Sequence, residues 1–107
     1  MKYHTLRFVK LGKKYKSNHG GIWFHIYFNN GSKSYRTALY ENMRNFNNWK
    51  EIIANAKRGD VVSALSMKTY KGKEIIDADS QPILYTSEEW AQKESDRFEA
   101  YYGIGLL

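Results

Sequence analysis

The sequence predicts an all-β domain with added helices, and three observations lead there. The stretch Ile22-Trp23-Phe24-His25-Ile26-Tyr27-Phe28 alternates two kinds of side chain, the period of a β-strand. An Asn30-Gly31 step separates it from a second alternating stretch, the strongest short hairpin signal. A helical pattern at 41–58 is then followed by another hairpin pattern around Lys71-Gly72.

The elements follow in chain order. Residues 4–11 (HTLRFVKL) alternate loosely, with Leu6 and Phe8 on one parity and Val9 and Leu11 on the other. That switch of parity, ahead of Gly12, predicts a bulge or strong bend. Residues 12–21 (GKKYKSNHGG) read as a basic loop holding Lys13, Lys14, Tyr15 and Lys16. In the next strand Ile22, Phe24, Ile26 and Phe28 form an apolar face. Trp23, His25 and Tyr27 form the other, aromatic but polar-tipped. A surface strand would carry Thr, Lys or Glu there, and a strand buried on both faces Val, Ile or Leu.

A two-residue turn at Asn30-Gly31 sets Ile26 opposite Tyr35, Phe24 opposite Thr37 and Ile22 opposite Leu39 on the core side. On the aromatic side it sets Tyr27 opposite Ser34, His25 opposite Arg36 and Trp23 opposite Ala38. Small partners would leave the ring faces of Trp23 and Tyr27 uncovered. Arg36 would add a planar cation able to pair a phosphate or stack on a ring.

Residues 41–58 carry Met43, Phe46, Trp49, Ile52, Ile53 and Ala56 at three- and four-residue spacing, one face of a helix. Trp49 belongs to that stripe and is expected in the core. Gly59 follows as a stop signal. Residues 60–70 (DVVSALSMKTY) read as one strand and 73–80 as its partner. The Lys71-Gly72 turn pairs Tyr70 with Lys73, Met67 with Ile76 and Leu65 with Ala78, and places Lys68, Tyr70, Lys71 and Lys73 at the tip. Pro82 breaks the ladder before a short apolar segment, Ile83-Leu84-Tyr85. Thr86 and Glu89 have capping-box spacing and open a helix over about 87–102 with Trp90, Phe98 and Tyr101 as apolar points. The last residues, Gly103-Ile104-Gly105-Leu106-Leu107, read either as a segment docking on the domain or as a handle for a partner or a second copy.

Composition narrows the function classes. The formal net charge is +6, yet residues 1–40 hold eight Lys or Arg and no acid, and 81–107 hold five acids and two bases. A basic body with an acidic end calls for an anionic partner. There is no cysteine, hence no disulfide framework or thiol chemistry. No stretch has the length and apolarity of a membrane span or the apolar core of a signal peptide, so a non-membrane protein of the cytoplasm is expected. His4, His19 and His25 have no ligand-spaced partners, so no metal or other cofactor is expected. Asp77, Asp79 and Glu74 read as a solvated edge. No nucleophile, P-loop or dinucleotide motif is present. A nuclease built from His25, Arg36 and a carboxylate is the weak enzymatic alternative, and the expectation is a non-enzyme.

Three strands, a helix and a hairpin follow the order of the five-stranded OB-fold β-barrel, whose helix lies between strands three and four. The predicted domain spans 1–86, and an acidic helix with an apolar tail spans 87–107. The binding face of such a barrel is its second and third strands with two flanking loops. Here those places are Trp23, His25, Tyr27 and Arg36, the loop 12–21, and residues 68–73. The stretches GIWFHIYFNNGSKSYRTALY and KRGDVVSALSMKTYKGKEIIDAD also resemble the OB-type single-stranded-DNA-binding proteins of phages of low-GC Gram-positive hosts. The resemblance covers about residues 5–85. It implies sequence-tolerant coating of single-stranded DNA during phage replication or recombination, in the cytoplasm of an infected bacterium. Phage or host replication or recombination proteins are candidate partners of the C-terminal segment, and a homo-oligomer is left open. Bacterial members of that class close on an acidic tail ending in Pro-Phe. Here the acids lie in a helix and the end is GIGLL, so the resemblance does not extend to that tail.

On this reading lysines meet phosphates and Trp23 and Tyr27 stack on bases. Lys13, Lys14, Tyr15, Lys16, Lys68, Tyr70, Lys71 and Lys73 grip the flanking strand. Two other readings use the same residues: a phage protein-interaction module or inhibitor of a host nucleic-acid enzyme, and an OB domain that binds RNA.

Overall fold

The two-faced strand forms, and the sheet is assembled around it. In a computed structural model that describes residues 3–102, with side chains through residue 97, four strands precede a first helix and four more separate it from a second. They are β1 (His4–Leu11), β2 (Tyr15–Lys16), β3 (Ile22–Asn29), β4 (Ser34–Tyr40), α1 (Phe46–Asn55), β5 (Val61–Leu65), β6 (Met67–Tyr70), β7 (Lys73–Ile76), β8 (Ile83–Tyr85) and α2 (Ser87–Tyr102). All ladders are antiparallel. β3 pairs with β4 along one edge and with β1 and then β2 along the other. β1 continues the sheet to β5, and β5 to β8. β6 and β7 form a separate hairpin that comes alongside β4 without a ladder.

Phe24, Ile26 and Phe28 of β3 are buried with Leu6, Phe8, Leu39, Val62, Leu65 and Ile76. Trp49 and Ile52 of α1 cover them. Phe28 packs against Trp49 at 6.4 Å between ring centroids and against Phe8 at 6.1 Å. Trp49 is thus a core residue, and its indole N–H donates to Ala78 O at 2.8 Å. Ile22, expected on the buried face, is 37% exposed, because β3 begins there, outside the span that the core residues cover.

The β3–β4 register departs from expectation by two residues. The observed pairs are Trp23 with Tyr40, His25 with Ala38, Tyr27 with Arg36, Ile26 with Thr37 and Phe24 with Leu39. The turn is centred one position later, on Gly31-Ser32, and is closed by Asn30 N donating to Lys33 O at 3.1 Å. The Asn30 side chain fixes it there, its Oδ1 accepting from the backbone N–H of Ser32 and Lys33 at 3.1 and 2.8 Å. Gly31 takes φ +96°, the glycine-first form of a two-residue hairpin turn. A shift of two leaves both faces intact, whereas a shift of one would have exchanged them.

The bulge foreseen in β1 lies between Phe8 and Lys10, and a second irregularity between His4 and Leu6. The second hairpin has the expected Tyr70–Lys73 and Met67–Ile76 pairs. Lys71 and Gly72 both take positive φ, +51° and +79°, as a type I′ turn requires. The strand foreseen at 60–70 is broken in two. Ala64 takes φ +62°, and Ser66 is held by Ser80, whose Oγ accepts from Ser66 N at 2.9 Å. Leu65 therefore pairs with His4 of β1 and not with Ala78. Thr86 and Glu89 make the capping box: Thr86 N donates to Glu89 Oε1 at 2.9 Å and Glu89 N to Thr86 Oγ1 at 3.0 Å. Trp90 rests on Tyr85 at 5.3 Å. The side chains of Phe98 and Tyr101 and the segment 103–107 lie outside the described residues. Among those described, no helix is long and apolar enough to cross a membrane.

Candidate functional site

β3 supplies the floor of the site. Trp23, His25 and Tyr27 are half-buried on its outer face. Trp23 stands edge-on to His25 at 5.3 Å and 88°, and His25 lies 5.9 Å from Tyr27. β2, read from sequence as loop, pairs Tyr15 with Trp23 and Lys16 with Ile22. Cross-strand partners share a face, so Tyr15 joins the aromatic side. Its ring stacks on the indole of Trp23 at 4.8 Å and 26°. Tyr40 follows on β4, 6.3 Å from Trp23 and tilted by 32°. Tyr15, Trp23 and Tyr40 make a row of rings across three strands. The small partner expected opposite Trp23 is not there, and one face of the indole is taken by Tyr15.

Gly12 makes this crossing possible. Its N–H donates to His25 O at 2.7 Å, and a Cβ at position 12 would lie 3.0 Å from both His25 O and Tyr27 Cε2. Glycine keeps this passage from β1 to β2 clear, where a side chain would crowd the β3 backbone and the Tyr27 ring.

The opposite wall is the β6–β7 hairpin. Between it and the outer face of β3 and β4 lies a cleft of about 450 Å³. Trp23, His25, Arg36 and Tyr40 line it on the sheet side, and Lys68, Tyr70 and Ile75 on the hairpin side. Its lining contains Arg36 and Lys68 and no carboxylate. The Lys68 ammonium is 3.9 Å from Asp77 Oδ1, a long and exposed pair of small energetic weight. Burial holds the His25 imidazole below its ordinary pKa, and the Arg36 guanidinium lowers it further. At neutral pH the ring is therefore neutral.

The hairpin is anchored at its base. Ser80 Oγ donates to Asp77 O at 2.7 Å while accepting from Ser66 N. Asn45 Nδ2 donates to Ala78 O and Ser80 O at 2.8 and 2.6 Å, and Trp49 reaches the same Ala78 carbonyl. These bonds tie the segment after β7 to α1 and so set where the base of the hairpin stands relative to the floor.

Five of the expected residues, Trp23, His25, Arg36, Lys68 and Tyr70, line the cleft. Tyr27 continues the floor, with Lys10 Nζ 5.4 Å from its ring centroid. Lys13 stands over Tyr15 at 6.0 Å and Lys71 over Tyr70 at 5.4 Å. Lys73, paired with Tyr70, shares that hairpin face. Lys14 and Lys16 do not join the site. Lys16 lies with Ile22 on the opposite face, and Lys14 is directed to Glu41 Oε1 at 3.9 Å and to the ring of Phe24. Tyr40, Lys10 and Ile75 are additions. Tyr40 has the parity of Arg36 and Ala38, a signal that the correct register would have revealed. A second hollow of about 330 Å³, where Trp90 and Glu94 meet Arg7, carries both charge signs. Among the described residues no three His, Asp or Glu side chains are brought together as a metal site.

The cleft can therefore offer ring faces, two cations and a neutral imidazole to a flat, anionic ligand. Comparison with protein-family models, curated proteins and solved structures gave no match.

Proposed function

We propose that this protein binds single-stranded DNA with little sequence preference, without catalysing a reaction on it. The observation that carries the reading is the cleft itself: Trp23, Tyr40 and Tyr70 beside Arg36 and Lys68, with no carboxylate in its lining. Ring faces accept any base by stacking, and the cations supply the salt-dependent phosphate contribution. Lys10, Lys13, Lys71 and Lys73 continue positive charge along both rims. Among the described residues no carboxylate lines the cleft beside His25 and Arg36, which favours binding over the nuclease alternative.

The strand order supports an OB barrel as the underlying plan. β4, β3, β1 and β5 are joined by ladders. The chain bends at Ala64–Ser66 into β6, and β7 returns beside β4. α1 falls between the third and fourth of those barrel strands once β2 is counted with β1. The cleft then occupies the face that OB domains use for oligonucleotides.

The test is a titration with oligo-dT followed by tryptophan fluorescence at two salt concentrations, with Trp23→Ala in parallel. Quenching that Trp23→Ala loses, with affinity falling as salt rises, is expected. No quenching and no salt dependence at any protein concentration would sink the reading in favour of a protein partner. Tighter binding of oligo-U would move the ligand to RNA.

A further inference from the structure

The cleft has a second kind of wall, the backbone of β4. In an antiparallel ladder, alternate residues turn their N–H and C=O toward the partner strand and the rest turn them away. Glu41 N donates to Ile22 O and Asn30 N to Lys33 O, which fixes the phase. Residues 35, 37 and 39 face β3. Ser34, Arg36, Ala38 and Tyr40 direct their backbone groups outward. Tyr40 O is taken by Met43 N at 3.1 Å.

On the facing hairpin, Asp77 N donates to Ser66 O and Tyr70 pairs with Lys73. By the same alternation Glu74 and Ile76 turn their backbone groups away from β6. Among the described residues no backbone hydrogen bond joins β4 to β7. The sheet is open along this seam, and the cleft lies over it, with Arg36, Thr37 and Ala38 of β4 on one side and Ile75 on the other.

We propose that this open edge hydrogen-bonds the Watson–Crick edge of an unpaired nucleobase. The inference rests on the single-strand reading above and adds the contact that excludes duplex. Ala38 offers an N–H and a C=O side by side, and so does Arg36. The Watson–Crick edge of every base sets a donor beside an acceptor, so each base can meet one such residue with two bonds. Trp23, Tyr40 and Tyr70 hold the ring, and Arg36 and Lys68 meet the phosphate. A base already paired in a duplex has no such edge to offer. Single-strand selectivity then comes from hydrogen bonding at the seam as well as from stacking, while sequence tolerance is kept.

The experiment compares oligo-dT with an oligomer of N3-methylthymidine, which keeps the π face and the phosphates but has no N3–H. Fluorescence titration of the unmodified protein is expected to show the methylated oligomer bound about tenfold more weakly, the cost of an unmade buried bond. Ala38→Pro removes an N–H that points away from β3, a place where a strand tolerates proline. It is expected to weaken oligo-dT and to shrink the difference between the two oligomers. Equal affinity of the unmodified protein for both oligomers overturns the inference and leaves single-strand binding standing. Failure to bind either one overturns both.

Discussion

Tyr15 lies nearly parallel to the indole of Trp23, with 4.8 Å between their ring centroids. The two residues come from different strands, and the contact exists only because β2 adds to the edge of β3 beyond the end of β1. It makes Trp23 a platform already covered on one side. A ligand ring therefore meets either the outer face of Tyr15 or the side of Trp23 toward Tyr40 and the cleft.

Replacing Tyr15 with Ala should uncover the indole and weaken oligo-dT binding by roughly 1–3 kcal/mol, the usual worth of an aromatic platform. Stability should fall by no more than about 1 kcal/mol, because the ring is half exposed and contributes a single aromatic pair. Tyr15→Phe should preserve both properties. Urea unfolding and fluorescence titration on the two variants check this, and a large stability loss without an affinity loss would make the stack purely structural.

His25 links the cleft to pH. Its folded-state pKa lies below the ordinary 6.5, from burial first and Arg36 second. As pH falls below 6.5 the unfolded chain takes up the proton before the folded one does. The stability tied to His25 is thus complete above 6.5 and is lost as pH falls toward the folded value. A phosphate near the ring would favour the charged form, so oligo-dT affinity should rise over the same interval. Urea midpoints and titrations between pH 7.5 and 5.5 should show opposite slopes, and His25→Gln should flatten both.

Ser80 is 5% exposed and joins the β5–β6 bend to the segment after β7. Ser80→Ala leaves the N–H of Ser66 without its acceptor, at a cost of about 1–3 kcal/mol. The hairpin wall should loosen with it. Faster amide exchange over 66–76 than over β3 is the expected signature, and uniform exchange across both regions would contradict it.

The capping box sets the acid limit of α2. Hydrogen bonds from the Thr86 backbone and side chain hold the Glu89 carboxyl below its ordinary pKa. Its contribution is present above the unfolded value of 4.5 and is lost as pH falls through the folded one. Helicity followed by circular dichroism should decline in acid for the parent protein. Thr86→Ala should begin with less helix at neutral pH and show a weaker acid response.

Local chemistry made part of this molecule readable. The alternation in 22–28, the Lys71-Gly72 turn, the α1 stripe and the Thr86/Glu89 spacing each act within a few residues, and each produced its element. The Asn-Gly preference puts the β3–β4 turn one position too early because glycine can serve at either central place. The deciding bonds, from Ser32 and Lys33 to the Asn30 side chain, lie beyond what a dipeptide preference records. The break at Ala64–Ser66 left no mark on the alternation of 60–70, since it depends on Ser80 fourteen residues away. β2 and β8 are too short to have a period, and form because β3 and β5 present edges to them. The cleft was foreseen as two loops and one face. Which lysines reach it followed from the β2 ladder, and that is how Lys14 and Lys16 were turned away.

Position 12 constrains how this surface can change over generations. Substitutions at Lys13, Lys14 or Lys16 alter charge and leave the path of the chain alone. A Cβ at Gly12 would crowd the His25 carbonyl and the Tyr27 ring, beneath the arm that carries Tyr15. Descendants of this sequence are thus free to retune their grip by lysine turnover, whereas a change at that single glycine presses directly on the floor beneath the rings.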